Sequence, residues 1–393
     1  MRFLSFILLM FFLPVFSHAS NAGDDKLLTG AEQPGLYVPL LQGKSVAIVA
    51  NQTSMVGDVH IVDFLMDRKV NPAGLRAIFA AEHGYRDLAS DGDLISDSTD
   101  PSTGLPVISM YGSHRKPLPE DLKGIDIVIF DIQDVGVRFY TYISTLSYLM
   151  EACAENDVKC IVLDRPNPNG FYVDGNIPDT AWSSFVCLHP VPVVHGMTVG
   201  EYALMVNGEG WLKGGIKCDL TVIRCTNYTH QTYYELPVKP SPNLPDQTSV
   251  YLYPSLCLFE GTNISVGRGT EFPFKVYGSP LLPGRGFSFI PQSMQGSANP
   301  PLKGVKCYGT DLRDARGRGL VPRPHINLGW LLEAYREYPA KDEFFLKYFD
   351  VLAGGPVLRE QIISGMTEDE IRETWKEGLG RFMEIRARYL LYD

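Results

Sequence analysis

Four apolar runs in the first half of the chain end in side chains that can do chemistry. Ser45–Ala50 leads into Asn51-Gln52-Thr53, and Leu75–Ala81 into Glu82-His83-Gly84-Tyr85-Arg86. Ile125–Phe130 leads into the loop from Asp131 through Gln133, Asp134, Gly136 and Arg138 to Tyr140, and Cys160–Leu163 into Asp164-Arg165-Pro166-Asn167-Pro168. Asp, Asn and Gly at one such end would signal only a turn. Glu, His, Gln and Arg are not demanded by turns, and their recurrence points to a functional cleft. Carboxylates beside aromatic residues suit cleavage of a glycosidic bond. That reaction takes a carboxylic acid near the leaving oxygen and a negative or nucleophilic group beside the developing oxocarbenium ion. Glu82 is the candidate acid, because desolvation behind a buried strand favours the proton-bearing carboxyl group. The competing reading makes it a helix-cap carboxylate or the partner of Arg86. His83 is a candidate to orient Glu82 or touch substrate, against a plain structural histidine.

Asp131 and Asp134 are the candidates for the charge-stabilising partner, although Asp131 could equally fasten its loop through backbone N–H groups. A second polar cluster spans Phe259 to Glu271, with Glu260, Asn263, Arg268 and Glu271 as candidate binding residues and glycines that permit tight turns. Asn51, Arg138, Tyr140, Asp164, Arg165, Asn167, His195 and Asn243 complete the candidate substrate-binding set.

Several chemistries are missing from the pattern. No G-x-G-x-x-G, G-x-x-x-x-G-K-[ST], G-x-S-x-G or H-E-x-x-H occurs, so no nucleotide, cofactor or metal is expected. The seven Cys are scattered and odd in number, which leaves room for one or two disulfides but no disulfide scaffold. A net charge of −10 argues against nucleic acid as a partner, and 45% hydrophobic residues argue against general disorder.

The elements that must position these residues follow from periodicity. The apolar runs lack polar alternation and are separated by helical stretches at His60–Met66 and Tyr142–Asn156. This argues for a parallel sheet covered on both faces, a Rossmann-like, doubly wound α/β domain whose ligands bind beyond the strands' carboxyl ends. A capping box at Thr198/Glu201 opens a helix within His195–Asn207. Trp330–Tyr338 is a helix stopped by Pro339, and a second box at Thr367/Glu370 opens a long helix reaching Tyr389. The expected organisation is a signal peptide over 1–19, a catalytic domain over 23–278 and a smaller α/β (α+β) auxiliary domain over 279–393. Arg2, the apolar run Phe3–Phe16 and Ser17-His18-Ala19 give the pattern of a secretory signal. A secreted, periplasmic protein with no membrane anchor is therefore expected.

Ala81-Glu82-His83-Gly84, Phe130 to Tyr142, Asp164 to Pro168, His195 to Glu201, Ser241-Pro242-Asn243-Leu244-Pro245 and Phe259 to Thr270 together resemble the DUF1343 family, exo-β-N-acetylmuramidases of the NamZ type. The likeness runs to Arg388-Tyr389-Leu390-Leu391-Tyr392. It implies a Rossmann-like domain carrying the site, a C-terminal auxiliary domain, and release of N-acetylmuramic acid from the non-reducing end of peptidoglycan-derived muropeptides or disaccharides. The family's proposed catalytic Glu maps onto Glu82. The sugar's own 2-acetamido group could then attack the anomeric carbon, with Asp131 or Asp134 polarising the amide. Its lactyl carboxylate calls for a guanidinium, for which Arg138 and Arg268 are preferred over Arg86 and Arg165. The competing functions are a cell-wall glycan amidase or esterase and a non-catalytic carbohydrate-binding module.

Overall fold

The computed structural model describes residues 26–72, 74–82, 84–85, 98–284 and 286–393. The signal segment, His83 and Arg86 lie outside the described residues.

Among the described residues, seven strands form the main sheet: β1 Val46–Ala50, β2 Leu75–Ala80, β3 Ser98–Thr99, β4 Pro106–Ser109, β5 Ile127–Asp131, β6 Lys159–Leu163 and β7 Leu220–Ile223, in the order β3-β4-β2-β1-β5-β6-β7. All neighbours are parallel except β3 on β4. The chain builds outward from β1 on one side, then returns to place β5 on the other. The carboxyl ends of β1 and β5 therefore flank the point where the strand order reverses.

The missing alternation in the sequence has a direct cause. Ala47 and Val49 of β1 pack into one core with Val128, Phe130 and Val162, while Val46, Ile48 and Ala50 pack into a second with Ile129 and Leu163. Successive side chains point to opposite faces, and both faces are covered. Helix α1, Ile61–Met66, covers one; α2, Tyr142–Glu155, and α3, Val199–Gly208, cover the other. The expected capping box of α3 is present, with Thr198 Oγ1 accepting from Glu201 N at 3.2 Å and Glu201 Oε2 accepting from Thr198 N at 2.9 Å. Strands β3, β4 and β7 and helix α4, Gln247–Leu256, carry weak sequence signals and escape the periodicity. Pro254 lies inside α4 and masks it.

Beyond α4 comes a three-stranded antiparallel sheet, with β8 Val276–Ser279, β9 Ser288–Phe289 and β10 Cys307–Asp311 in the order β8-β10-β9. The expected boundary at 278/279 falls inside β8. Among the described residues a short helical turn, Lys341–Phe344, and four longer helices follow: α5 Gly329–Glu337, α6 Tyr348–Ala353, α7 Val357–Ile363 and α8 Glu368–Arg386. Their apolar faces join the first core, in which Phe344, Phe349, Trp375 and Phe382 share one cluster with Phe130 and Leu146. All seven cysteines are buried free thiols.

Candidate active site

Glu82 leaves the end of β2 and reaches the start of α2. Thr141, the N-cap residue of α2, makes no side-chain bond to its own helix. Its Oγ1 instead donates to Glu82 Oε2 at 2.9 Å. Tyr142 OH lies 3.3 Å from the Glu82 carbonyl oxygen and accepts from Asn51 Nδ2 at 3.0 Å. Asn51 Oδ1 is committed to the backbone and hydroxyl of Thr53. Asn51 is thus a buried strut beneath Tyr142.

Glu82 lines a cavity of about 370 Å³ bounded by both the main sheet's loops and the C-terminal helices. One wall is a row of aromatic rings: Tyr142 to Tyr140 at 4.8 Å, Tyr140 to Tyr253 at 6.2 Å and Tyr253 to Phe274 at 4.9 Å between centroids, all edge-to-face. Such pairs favour this geometry because a ring's positive edge meets its neighbour's negative face. Tyr140 is further fixed by donating to Pro240 O at 2.6 Å. Along this row from Glu82 sits an ion pair: Arg268 Nε donates to Glu260 Oε1 at 2.5 Å, and the guanidinium lies 5.2 Å from the Phe274 ring centroid. Glu260 extends from the 3₁₀ turn Cys257–Gly261 that continues α4.

Arg268 stands between two glycines in the left-handed region, Gly267 at φ 81° and Gly269 at φ 77°. A Cβ at Gly267 would lie 2.6 Å from Val276 Cγ2, and one at Gly269 2.4 Å from Pro300 Cγ. The backbone can press this closely against its neighbours only without side chains on either side of the arginine.

Residues 46–248 match the family model described as exo-β-N-acetylmuramidase NamZ, N-terminal, and residues 251–392 match its C-terminal counterpart. The chain belongs to the NamZ exo-β-N-acetylmuramidase family. A relative in Bacillus subtilis (strain 168), named peptidoglycan β-N-acetylmuramidase, is 38% identical over 385 residues, covering 91% of this chain and 89% of that protein. A DUF1343 family crystal structure from Bacteroides fragilis NCTC 9343 superposes with a TM-score of 0.83 at 45% identity, over 94% of this chain and all but 1% of that one (99% covered). A second from the same organism gives 0.76 at 29% identity, over 94% of this chain and 100% of that one. The family and fold expected from the motifs are those found.

Of the candidate residues, Glu82, Tyr140, Asn243, Glu260 and Arg268 line the cavity. The structure commits most of the others elsewhere. Asp131 is fully buried, with each carboxylate oxygen on Arg165. Asp134 is buried behind the loop, where Oδ2 accepts from Gly136 N at 2.6 Å; burial pushes its carboxyl up to about 7 against the pull of the Gly136 and Val135 N–H groups. Arg138 spends its guanidinium on the carbonyls of Asn176, Val191 and Leu352, a clamp between the two halves of the chain. Asp164 accepts from Thr198, Gly200 and Tyr392. Burial pushes its carboxyl up to about 6.

Asn167 bridges Met197 O and Asn169 N. His195 accepts from Met197 N and is kept neutral by burial, then by Arg386, which push it down to about 3. Asn263 donates to Glu343 O, and Glu271 is exposed on the surface. The cavity also uses residues absent from the candidate set: Thr141, Tyr142, Tyr253 and Tyr348. The position of Thr141 just before an apolar helical stretch is the signal that marks it as a cap available for other work.

Proposed function

We propose that the protein is a secreted glycoside hydrolase that releases N-acetylmuramic acid from the non-reducing ends of peptidoglycan fragments, serving cell-wall turnover and recycling. The observation that carries the reading is Glu82, the candidate general acid, which lines the cavity with one carboxyl oxygen fixed by Thr141. In this role Glu82 gives its proton to the departing glycosidic oxygen and later takes one from the attacking water. The aromatic row offers a surface for the apolar face of a sugar ring.

Arg268 supplies the cation for the lactyl carboxylate, since it alone among the described lining residues is a Lys or Arg. Its planar fork suits a carboxylate better than a lysine would. The same role for Arg138 has little support, given its commitment to three backbone carbonyls. Secretion into the periplasm rests on the Arg2, Phe3–Phe16 and Ser17-His18-Ala19 pattern.

The test is mass analysis of products from a defined MurNAc–GlcNAc disaccharide and from a muropeptide carrying its stem peptide. Free N-acetylmuramic acid or its peptide-bearing form is expected. Release of peptide or acetate with the glycan intact would assign an amidase or esterase instead, and sugar binding without turnover would leave a binding module.

A further inference from the structure

We infer that Glu260 is the second catalytic carboxylate of this site, accepting the N–H of the substrate's 2-acetamido group while Arg268 holds the neighbouring lactyl carboxylate. The inference rests on the muramidase reading. Among the described residues that line the cavity, Glu82 and Glu260 are the carboxylates. Asp131 and Asp134, the sequence candidates for this role, are buried away from it, one closed on Arg165 and the other behind its loop.

Both cavity carboxylates bear on one ring. The Tyr348 phenol is pushed up by burial, then by Cys257, Glu260 and Glu82. The substrate's chemistry matches the order of these groups along the cavity wall. On muramic acid the scissile bond is at C1, the acetamido group at C2 and the lactyl ether at C3. In the cavity, Glu82 stands at one end of the aromatic row, and Glu260 and Arg268 stand side by side farther along it, joined by a 2.5 Å bond. Adjacent carboxylate and guanidinium thus face adjacent N–H and carboxylate substituents. Each pairing is an acceptor with a donor, which fixes the register of the sugar and sets C1 toward Glu82.

The step balances without a covalent enzyme intermediate. The acetamido oxygen forms a bond to C1 as the C1–O bond to the leaving sugar breaks, and the leaving oxygen takes the proton of Glu82. Glu260 stabilises the positive charge that develops on the amide. Water then adds to C1, its proton passes to Glu82, and the ring of the oxazolinium ion reopens to the acetamide.

The experiment compares wild type, Glu260→Gln and Glu260→Asp on a chromogenic β-N-acetylmuramide, together with inhibition by the thiazoline of N-acetylmuramic acid, which mimics the cyclised intermediate. The expected result for Glu260→Gln is a kcat lower by about 10²–10³-fold with KM within about three-fold. Thiazoline inhibition should weaken by a similar factor, at an unchanged melting temperature. Should Glu260→Gln not fold, Glu260→Asp keeps the charge, and its shortened reach should still lower kcat and weaken the thiazoline. A kcat within a few-fold of wild type overturns the assignment. So does tight thiazoline inhibition of the variants, or a fluoro-sugar adduct on Glu260, which would make it a nucleophile. A wild type inert on every muramide overturns the functional reading and this inference with it; an active wild type beside an active Glu260→Gln overturns only the role of Glu260.

Discussion

Arg165 closes on Asp131 with two charge-assisted bonds, Nε to Oδ1 at 2.6 Å and Nη2 to Oδ2 at 2.9 Å. The two side chains are 3% and 0% exposed. This pair fills the crevice at the end of β5, the place where the strand order reverses and a ligand would ordinarily be sought. Arg165 also donates to Met55 O at 3.1 Å, so it fastens the loop after β1 to the end of β5. The ligand space is displaced sideways, toward the end of β2 and the C-terminal helices.

Breaking this pair should therefore act on stability. Removing one partner of a buried ion pair leaves an uncompensated charge and costs about 3–5 kcal/mol. Asp131→Asn and Arg165→Met should each lower the unfolding free energy from denaturant titration by that amount, and the double variant should recover part of it. A stable Asp131→Asn protein that has lost turnover would return Asp131 to the reaction.

Glu82→Gln should keep the melting curve and lower kcat by about 10²–10⁴-fold, the usual contribution of general acid–base catalysis. Thr141→Val removes only the hydroxyl that fixes Oε2. A hydrogen bond to a charged or acidic group is worth about 1.5–3 kcal/mol, so a fall of about 10–100-fold in kcat is expected. Steady-state kinetics on a chromogenic muramide, paired with thermal unfolding, checks both; full activity in either variant would remove that residue from the role.

Arg268→Ala and Arg138→Ala should separate cleanly. Losing one partner of a desolvated charge pair costs about 2–5 kcal/mol. Arg268→Ala should reduce kcat/KM for a muramide correspondingly, by about 30- to 5,000-fold, while sparing a glucosaminide that lacks the lactyl group. Arg138→Ala should lower the melting temperature, because it unpins the carbonyls of Asn176, Val191 and Leu352. Equal loss on both sugars for Arg268→Ala would place carboxylate recognition elsewhere.

Stability should also carry a pH signature from Asp134. Its carboxyl is pushed from 3.8 up to about 7, chiefly by burial. Because the folded state holds this proton more tightly than the unfolded chain, the contribution is fully present below about pH 4 and is lost as pH rises through about 7. Asp164, pushed up to about 6, adds a component of the same sign. Asp134→Asn keeps an oxygen for the Gly136 N–H without the proton. It should flatten this slope and stabilise the protein above pH 7 by up to about 4 kcal/mol. Melting temperatures of both proteins from pH 4 to 8 give the comparison, and parallel curves would disprove the assignment.

The sequence by itself determined what local rules control. Unbroken apolar runs gave strands buried on both faces, because a parallel sheet covered by helices has no solvent side to pattern. The Thr198/Glu201 and Thr367/Glu370 boxes fixed two helix starts, since a capping box is satisfied within four residues. Glu82 was legible as a candidate acid for the same kind of reason: it is a carboxyl at the end of a buried run. What the sequence left open was which strand-end charges face a ligand and which are spent inside the protein. Asp131, Asp164 and Arg165 stand at strand ends just as Glu82 does, but their partners come from other strands, from the α3 cap and from the chain's last residues. The pairing of Glu260 and Arg268, and their place along one aromatic row from Glu82, depend on how the loop after α4 packs across the ends of the sheet. A buried charge must find its partner in space, and that partner is chosen by the packing of whole elements.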